Sequence, residues 1–148
     1  MKKIGIFWGS TTGTTQKAAM YIKSQLELKG FDVDIYDVSS ITINTVLGYE
    51  NLVFGCSTWH AGELQDDWDA LFVEFSKSNF QGKVGAFFGC GDQYGYANTF
   101  IDAVGILAKS FVQNGGLLIG RCDAKEYNFG SSLAYHNGRL LGLGLDYD

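Results

Sequence analysis

A chain of 148 residues with 46% apolar and 15% aromatic residues can bury the core of one domain, and that composition excludes a disordered chain. A net charge of −5 argues against nucleic acid and anionic membranes as partners and leaves basic protein surfaces. Cys56, Cys90 and Cys122 are odd in number, far apart and without a CxxC pair, so they indicate neither a zinc site nor a disulfide framework, and unpaired thiols fit a reducing, cytoplasmic setting. The apolar run near the amino end is too short for a secretory leader, and no stretch reaches the length of a transmembrane helix.

Lys3 to Trp8 reads as a buried strand closed by Gly9. Thr14 or Thr15 can open a helix whose inner stripe is Ala18, Ile22 and Leu26, and Gly30 stops it. Asp32 to Asp37 alternates polar and apolar, as an edge strand does. A short helix is predicted around Thr42 to Leu47, closed by Gly48. Asn51 to Cys56 is a buried central strand, followed by a loop and then a helix near Trp68 to Ser76. Lys83 to Gly89 is a further buried strand. After the loop "CGDQYGYAN" comes a long helix with Ile101, Val104, Ala108, Phe111 and Val112 facing inward. Gly115 to Gly120 restarts a strand, irregular sequence runs to Arg139, and Leu140 to Asp146 makes a final strand segment. Strands alternating with helices imply one domain over residues 1–148, built on a parallel sheet with helices on both faces.

In such sheets ligands bind beyond the carboxyl ends of the strands. The first of these ends carries "GSTTGTT", Gly9 to Thr15. A glycine- and threonine-rich loop opening into a helix offers backbone N–H groups, the positive end of the helix dipole and the hydroxyls of Ser10, Thr12 and Thr15, which together suit a phosphate. The plain alternative is a polar turn with a threonine N-cap. The run is neither a Walker loop, which needs a lysine where Thr14 stands, nor a dinucleotide GxGxxG. Two later loops at the same sheet edge, "STWHAGE" and "GCGDQYGY", present Trp59, Tyr94 and Tyr96 near glycines, and aromatics on neighbouring loops can stack on both faces of a flat ring.

"GSTTGTT", "STWHAGELQDDWD" and "GCGDQYGYANTF" resemble the phosphate loop and the two flavin loops of flavodoxins, small acidic FMN proteins that carry electrons. The resemblance runs from Lys3 to about Asp146. It implies a three-layer α/β/α sandwich with a five-stranded parallel sheet in the order 2-1-3-4-5. It further implies that Ser10, Thr11, Thr12, Gly13, Thr14 and Thr15 hold the FMN phosphate. Trp59 would cover the inner face of the flavin and Tyr96 the outer face. Ser57, Thr58, His60, Ala61, Gly62, Cys90, Gly91 and Asp92 would line the ring, with Tyr94 at its rim.

The resemblance places at His60 the carbonyl that accepts the N–H of a neutral semiquinone, and Ala61 has less freedom than glycine to let that peptide turn. The implied function is a low-potential one-electron carrier cycling between semiquinone and hydroquinone. Its implied partners are redox proteins with basic docking faces, such as ferredoxin-NADP reductase-like donors or acceptors, without nucleic acid or membrane.

Cys122 to Arg139 resembles the insertion that splits the fifth strand in long-chain flavodoxins. The chain stops where the family normally adds one more helix beside the first. The expectation is a C-terminal helix absent, a sheet face partly uncovered, and a monomer with self-association through that face as the alternative.

Glu63, Asp66, Asp67 and Asp69 serve both as helix-start charges and as a docking face. His60 and His136 read as surface or loop residues, Cys56 and Cys90 as buried small residues, and Trp68 and Phe72 as core anchors. Two rival functions remain: an FMN-dependent NAD(P)H:quinone or flavin reductase, against which Tyr96 over the outer face argues, and a flavin-free signalling domain, which would want acidic residues where Gly9 to Thr12 and Ser57 stand.

Overall fold

The computed structural model describes residues 3–9, 13–59, 63–64, 66–91, 101–123 and 132–146. Five strands make the parallel sheet: β1 (Lys3–Gly9), β2 (Asp32–Asp37), β3 (Asn51–Trp59), β5 (Val84–Gly91) and β10 (Leu143–Asp146), side by side in the order β2-β1-β3-β5-β10. This is the expected 2-1-3-4-5. The connecting helices are α1 (Thr14–Leu28), the short α2 (Ile43–Leu47), α3 (Asp66–Phe75) and α4 (Asp102–Gln113). Each α-helix lies within a few residues of its expected place. α1 packs on one sheet face, and α3 and α4 pack on the other.

The two faces are unequal because the side chains alternate unequally. The face under α3 and α4 carries the main core. Phe54 sits at its centre, stacked on Phe7 and Phe87 at 5.9 and 5.1 Å between ring centroids and met edge-on by Trp68, Phe75 and Phe111. These rings are fully buried or nearly so. Burial of each contributes about 2–3 kcal/mol, and such ring geometries add to it. The Trp68 indole N–H donates to the Gly55 carbonyl at 2.7 Å, which satisfies the one polar group of an otherwise buried ring.

The opposite face holds a smaller cluster: Ile4, Ile6, Ala19, Val33 and Phe88 are buried, while Trp8, Ile35, Val53 and Leu145 are only half-buried. Leu117 and Leu143, beside Val84 and Phe88 in the ladder, are 61% and 37% exposed. The uncovered sheet expected from the sequence is therefore present along the outer edge, at Leu117 before the insertion and Leu143 on β10. Phe88 fills part of the space by lying across β3. Its ring would be 2.0 Å from a β-carbon at position 55, so Gly55 is what admits it.

The fifth strand is split as the resemblance implied. β6 (Leu117–Leu118) pairs with Val84 and Gly85 at the start of β5, and β10 pairs with Phe88 to Gly91 at its end. The segment between them is not wholly irregular. Among the described residues it holds a small antiparallel sheet of β7 (Cys122–Asp123), β9 (Arg139–Leu140) and β8 (Tyr135–His136). Leu140 belongs to this sheet, so the last strand begins at Leu143 rather than Leu140. The expected strand over Gly115 to Gly120 contracts to two residues.

Two further expectations change. β3 continues through Trp59 and turns back as β4 (Glu63–Leu64), antiparallel to Thr58 and Trp59, where a loop was expected. Val112 faces outward at 45% exposure, whereas Ile101, Val104, Ala108 and Phe111 are buried as predicted.

The insertion is tied to α4. Leu133 N–H donates to the Asp102 carboxylate at 2.7 Å, Leu141 N–H donates to the Ala134 carbonyl at 2.8 Å, and Ala134 is buried. Gly105 permits this approach: a β-carbon there would lie 2.4–2.5 Å from the backbone of Leu133 and Ala134. Gly105→Ala would have to displace backbone atoms, which outweighs its gain in helix propensity. The expected net loss is about 1–3 kcal/mol, read as a lower urea midpoint at unchanged slope.

Candidate functional site

The parallel register sets three chain exits in one row. Gly9 lies beside Cys56, Cys56 beside Gly89, Ser57 beside Cys90, and Gly91 beside Asp146. β1, β3 and β5 are neighbours, so the segments after Gly9, after Trp59 and after Gly91 all leave the same edge of the sheet. These are the segments that the sequence marks for a phosphate and a flat ring. Ser10, Thr11, Thr12, His60, Ala61, Gly62, Asp92, Tyr94 and Tyr96 lie outside the described residues. Gly13, Thr14, Thr15, Ser57, Thr58, Trp59, Cys90 and Gly91 lie within them, all at this edge.

Gly13 is the N-cap of α1 and takes a left-handed conformation, φ 88°, which glycine adopts without strain. Neither threonine caps the helix: no side-chain hydrogen bond closes its amino end, and no acidic residue lies in its first turn. The positive end of the helix dipole is therefore not offset by a side-chain carboxylate there.

Thr15 turns inward. It is fully buried, and its hydroxyl shares a 2.6 Å hydrogen bond with the Ser57 hydroxyl. Cys90, the ladder neighbour of Ser57, completes this small polar cluster beneath the first turn of α1. Burial pushes the Cys90 thiol up, and the Thr15 hydroxyl partly offsets that. Thr15, Ser57 and Cys90 thus tie the base of the first loop to the ends of β3 and β5.

The root of the third loop is also held. Ile101 precedes α4 at φ 46°, an uncommon conformation for a β-branched residue that costs about 1–3 kcal/mol, and its buried side chain keeps it there. Asp102 follows, 6% exposed. Burial raises its carboxyl, and the Leu133 N–H, the Ser132 hydroxyl and the Lys109 charge oppose that rise. Sequence reasoning did not find Asp102, because an acidic residue at a helix start looks like a dipole partner. The exposed Asp66 and Asp69, with half-buried Asp67, form the acidic first turn of α3 as expected. His136 is exposed, while Cys56 and Cys90 are buried.

The sequence profile of the flavodoxin family matches residues 6–137. The chain belongs to the flavodoxin family. A flavodoxin of Trichodesmium erythraeum is 45% identical over 150 residues, covering 100% of this chain and 86% of the relative. A flavodoxin of Nostoc sp. is 43% identical over 148 residues, covering 99% of this chain and 85% of the relative. The crystal structure of Fusobacterium nucleatum flavodoxin bound to flavin mononucleotide superposes with a TM-score of 0.91 at 28% identity, covering 99% of this chain and 86% of that one. Flavodoxins are electron-transfer flavoproteins, not enzymes. Among the described residues, no helix is long and apolar enough to cross a membrane.

The Thr15–Ser57 pair is testable without any ligand. Thr15→Val strands the buried Ser57 hydroxyl and should cost about 1–2 kcal/mol. The double variant Thr15→Val/Ser57→Ala should cost less than the sum of the two single changes, measured by urea denaturation, because both polar partners leave together.

Proposed function

We propose that this chain is a low-potential one-electron carrier that binds FMN at the carboxyl edge of its sheet and passes electrons between redox proteins. The observation that carries this reading is the register of β1, β3 and β5, which sets the three strand ends level at one edge, and in the sequence a hydroxyl-rich run and two aromatic-bearing runs follow those ends. The donor set fits the cofactor. Ser10 to Thr15 would hold the phosphate with neutral hydroxyl and N–H donors at the amino end of α1, without a lysine or arginine among those six residues. Trp59 and Tyr96 would enclose the ring, with Thr58, His60, Gly62, Gly91 and Asp92 around it and Tyr94 at the rim. The buried Thr15, Ser57 and Cys90 support the cradle from beneath.

Bound FMN supplies the electron chemistry, and the chain sets its energy. A net charge of −5, together with the exclusion of water that Trp59 and Tyr96 would provide, would disfavour added negative charge on the ring and so would hold the second reduction at low potential. The acidic turn of Asp66, Asp67 and Asp69 supports docking of a basic partner face, as on a ferredoxin-NADP reductase-like protein. We place the carrier in the cytoplasm because three cysteines, odd in number and without a CxxC pair, fit a reducing setting. We read it as a monomer in solution, with self-association through the exposed sheet edge of β6 and β10 as the alternative.

Thr12→Asp should weaken FMN by roughly a hundredfold or more through repulsion of the phosphate, while riboflavin changes only a few-fold. Equal losses for both ligands in flavin-fluorescence titrations would refute the phosphate role. Tyr96→Ala should raise the second one-electron potential by on the order of 60 mV, the equivalent of a tenfold change. An unchanged redox titration would remove Tyr96 from the ring.

A further inference from the structure

We propose that a cavity of about 250 Å³ between the carboxyl half of α4 and the insertion binds a small organic anion, a carboxylate with a compact apolar body. This site is separate from the cofactor edge. α4 starts at that edge, and Ala108, six residues on, lies about 9 Å along its axis. Leu118, across the cavity, pairs with Gly85 near the opposite end of β5.

The floor is apolar. Ala108 and Leu141 are buried and Leu118 is half-buried. Val112 forms part of the wall at 45% exposure, although its spacing with Ala108 and Phe111 groups it with the core residues of the helix. The cavity is where that apolar side chain faces.

The rim is cationic. Lys109 comes from α4, Arg121 from the turn before β7, and His136 from β8, so three separate elements bring positive or donor groups around one apolar floor. Among the described residues, no acidic one is in the lining. Among the described residues the ion pairs are those of Lys3 with Asp32 and Asp34 and of Lys23 with Glu27, and none of them involves Lys109 or Arg121. Asp102 feels the charge of Lys109, but its carboxylate accepts from the Leu133 N–H. In a chain of net charge −5, a gathering of basic groups around one apolar floor runs against the overall composition.

Size selects the occupant. The volume equals roughly eight water molecules, below the range of sites for drug-sized ligands, so it suits a ligand of about ten non-hydrogen atoms. An acidic side chain of a partner protein would satisfy the rim but leave the floor wet. A ring or short chain bearing a carboxylate satisfies both.

The test is a titration of the isotope-labelled holoprotein with benzoate, benzyl alcohol and benzylamine at fixed ionic strength, followed by amide NMR shifts. The expected result is saturable shifts at Lys109 to Gln113, Leu118, Arg121 and His136 with benzoate. Benzyl alcohol should bind at least about tenfold more weakly, benzylamine should give no saturation, and the flavin absorption should not change. The double variant Lys109→Gln/Arg121→Gln should lower benzoate affinity about tenfold and leave benzyl alcohol binding unaltered. Equal affinity for acid and alcohol, or shifts confined to other surfaces, would overturn the proposal. So would tighter binding of a Glu-Glu-Phe-Glu-Glu peptide at these amides, which would assign the surface to an acidic protein partner. The discrimination between acid and alcohol in the unaltered protein tests the idea even if the double variant is unstable, and it is read independently of flavin binding.

Discussion

The alignment of three neighbouring parallel strands is the constraint on which the rest of this molecule depends. Because Gly9, Cys56 and Gly89 stand in one row, the chain leaves β1, β3 and β5 at a common level. A slip of one residue in any of them would turn its inward side chains to the other face. Phe54 enforces the register from below. It stacks on Phe7 and Phe87, one ring on each adjacent strand, so the aromatic core and the geometry of the edge are one arrangement. The same rows leave small residues at the strand ends, where the chain must come close to whatever the edge holds.

Two further ties convert that alignment into a supported platform. Thr15, Ser57 and Cys90 link α1 to β3 and β5 just inside the edge. Asp102 links the start of α4 to the insertion. Each replaces an apolar contact by a polar one that is satisfied only in a single geometry, and that trade favours a fixed position over maximal stability. The insertion is thus part of the scaffold, resting through Ala134 on the helix that follows the third loop.

Much of this was legible in the residue pattern, for identifiable reasons. β1 and β5 are apolar runs ending at glycine, β3 opens with the apolar run Leu52 to Cys56, and α4 with its N-cap shows an inner face of Ile101, Val104, Ala108 and Phe111. β2 announced itself as an edge by alternation. The exits of β1 and β5 were legible because glycines end their apolar runs, whereas β3 runs on through Trp59 past the cysteine where its apolar run stops. What was hidden depended on distant partners. A threonine at a helix start looks the same whether it caps the helix or turns inward to Ser57. Asp102 reads as a dipole partner until Leu133 arrives from the insertion. The small sheet of β7, β8 and β9 has two-residue strands, too short for any periodicity to show. Val112 follows the helical stripe but meets a cavity instead of the core.

The contact between Phe88 and Gly55 couples two positions on adjacent strands. Among the described residues α1 is the helix above that face, so the ring supplies part of the cover for the neighbouring strands, and the missing side chain at 55 is what makes room for it. An alanine at 55 would meet the tip of that ring, so it could be accommodated only by tilting the aromatic side chain away and giving up some of the shelter it provides.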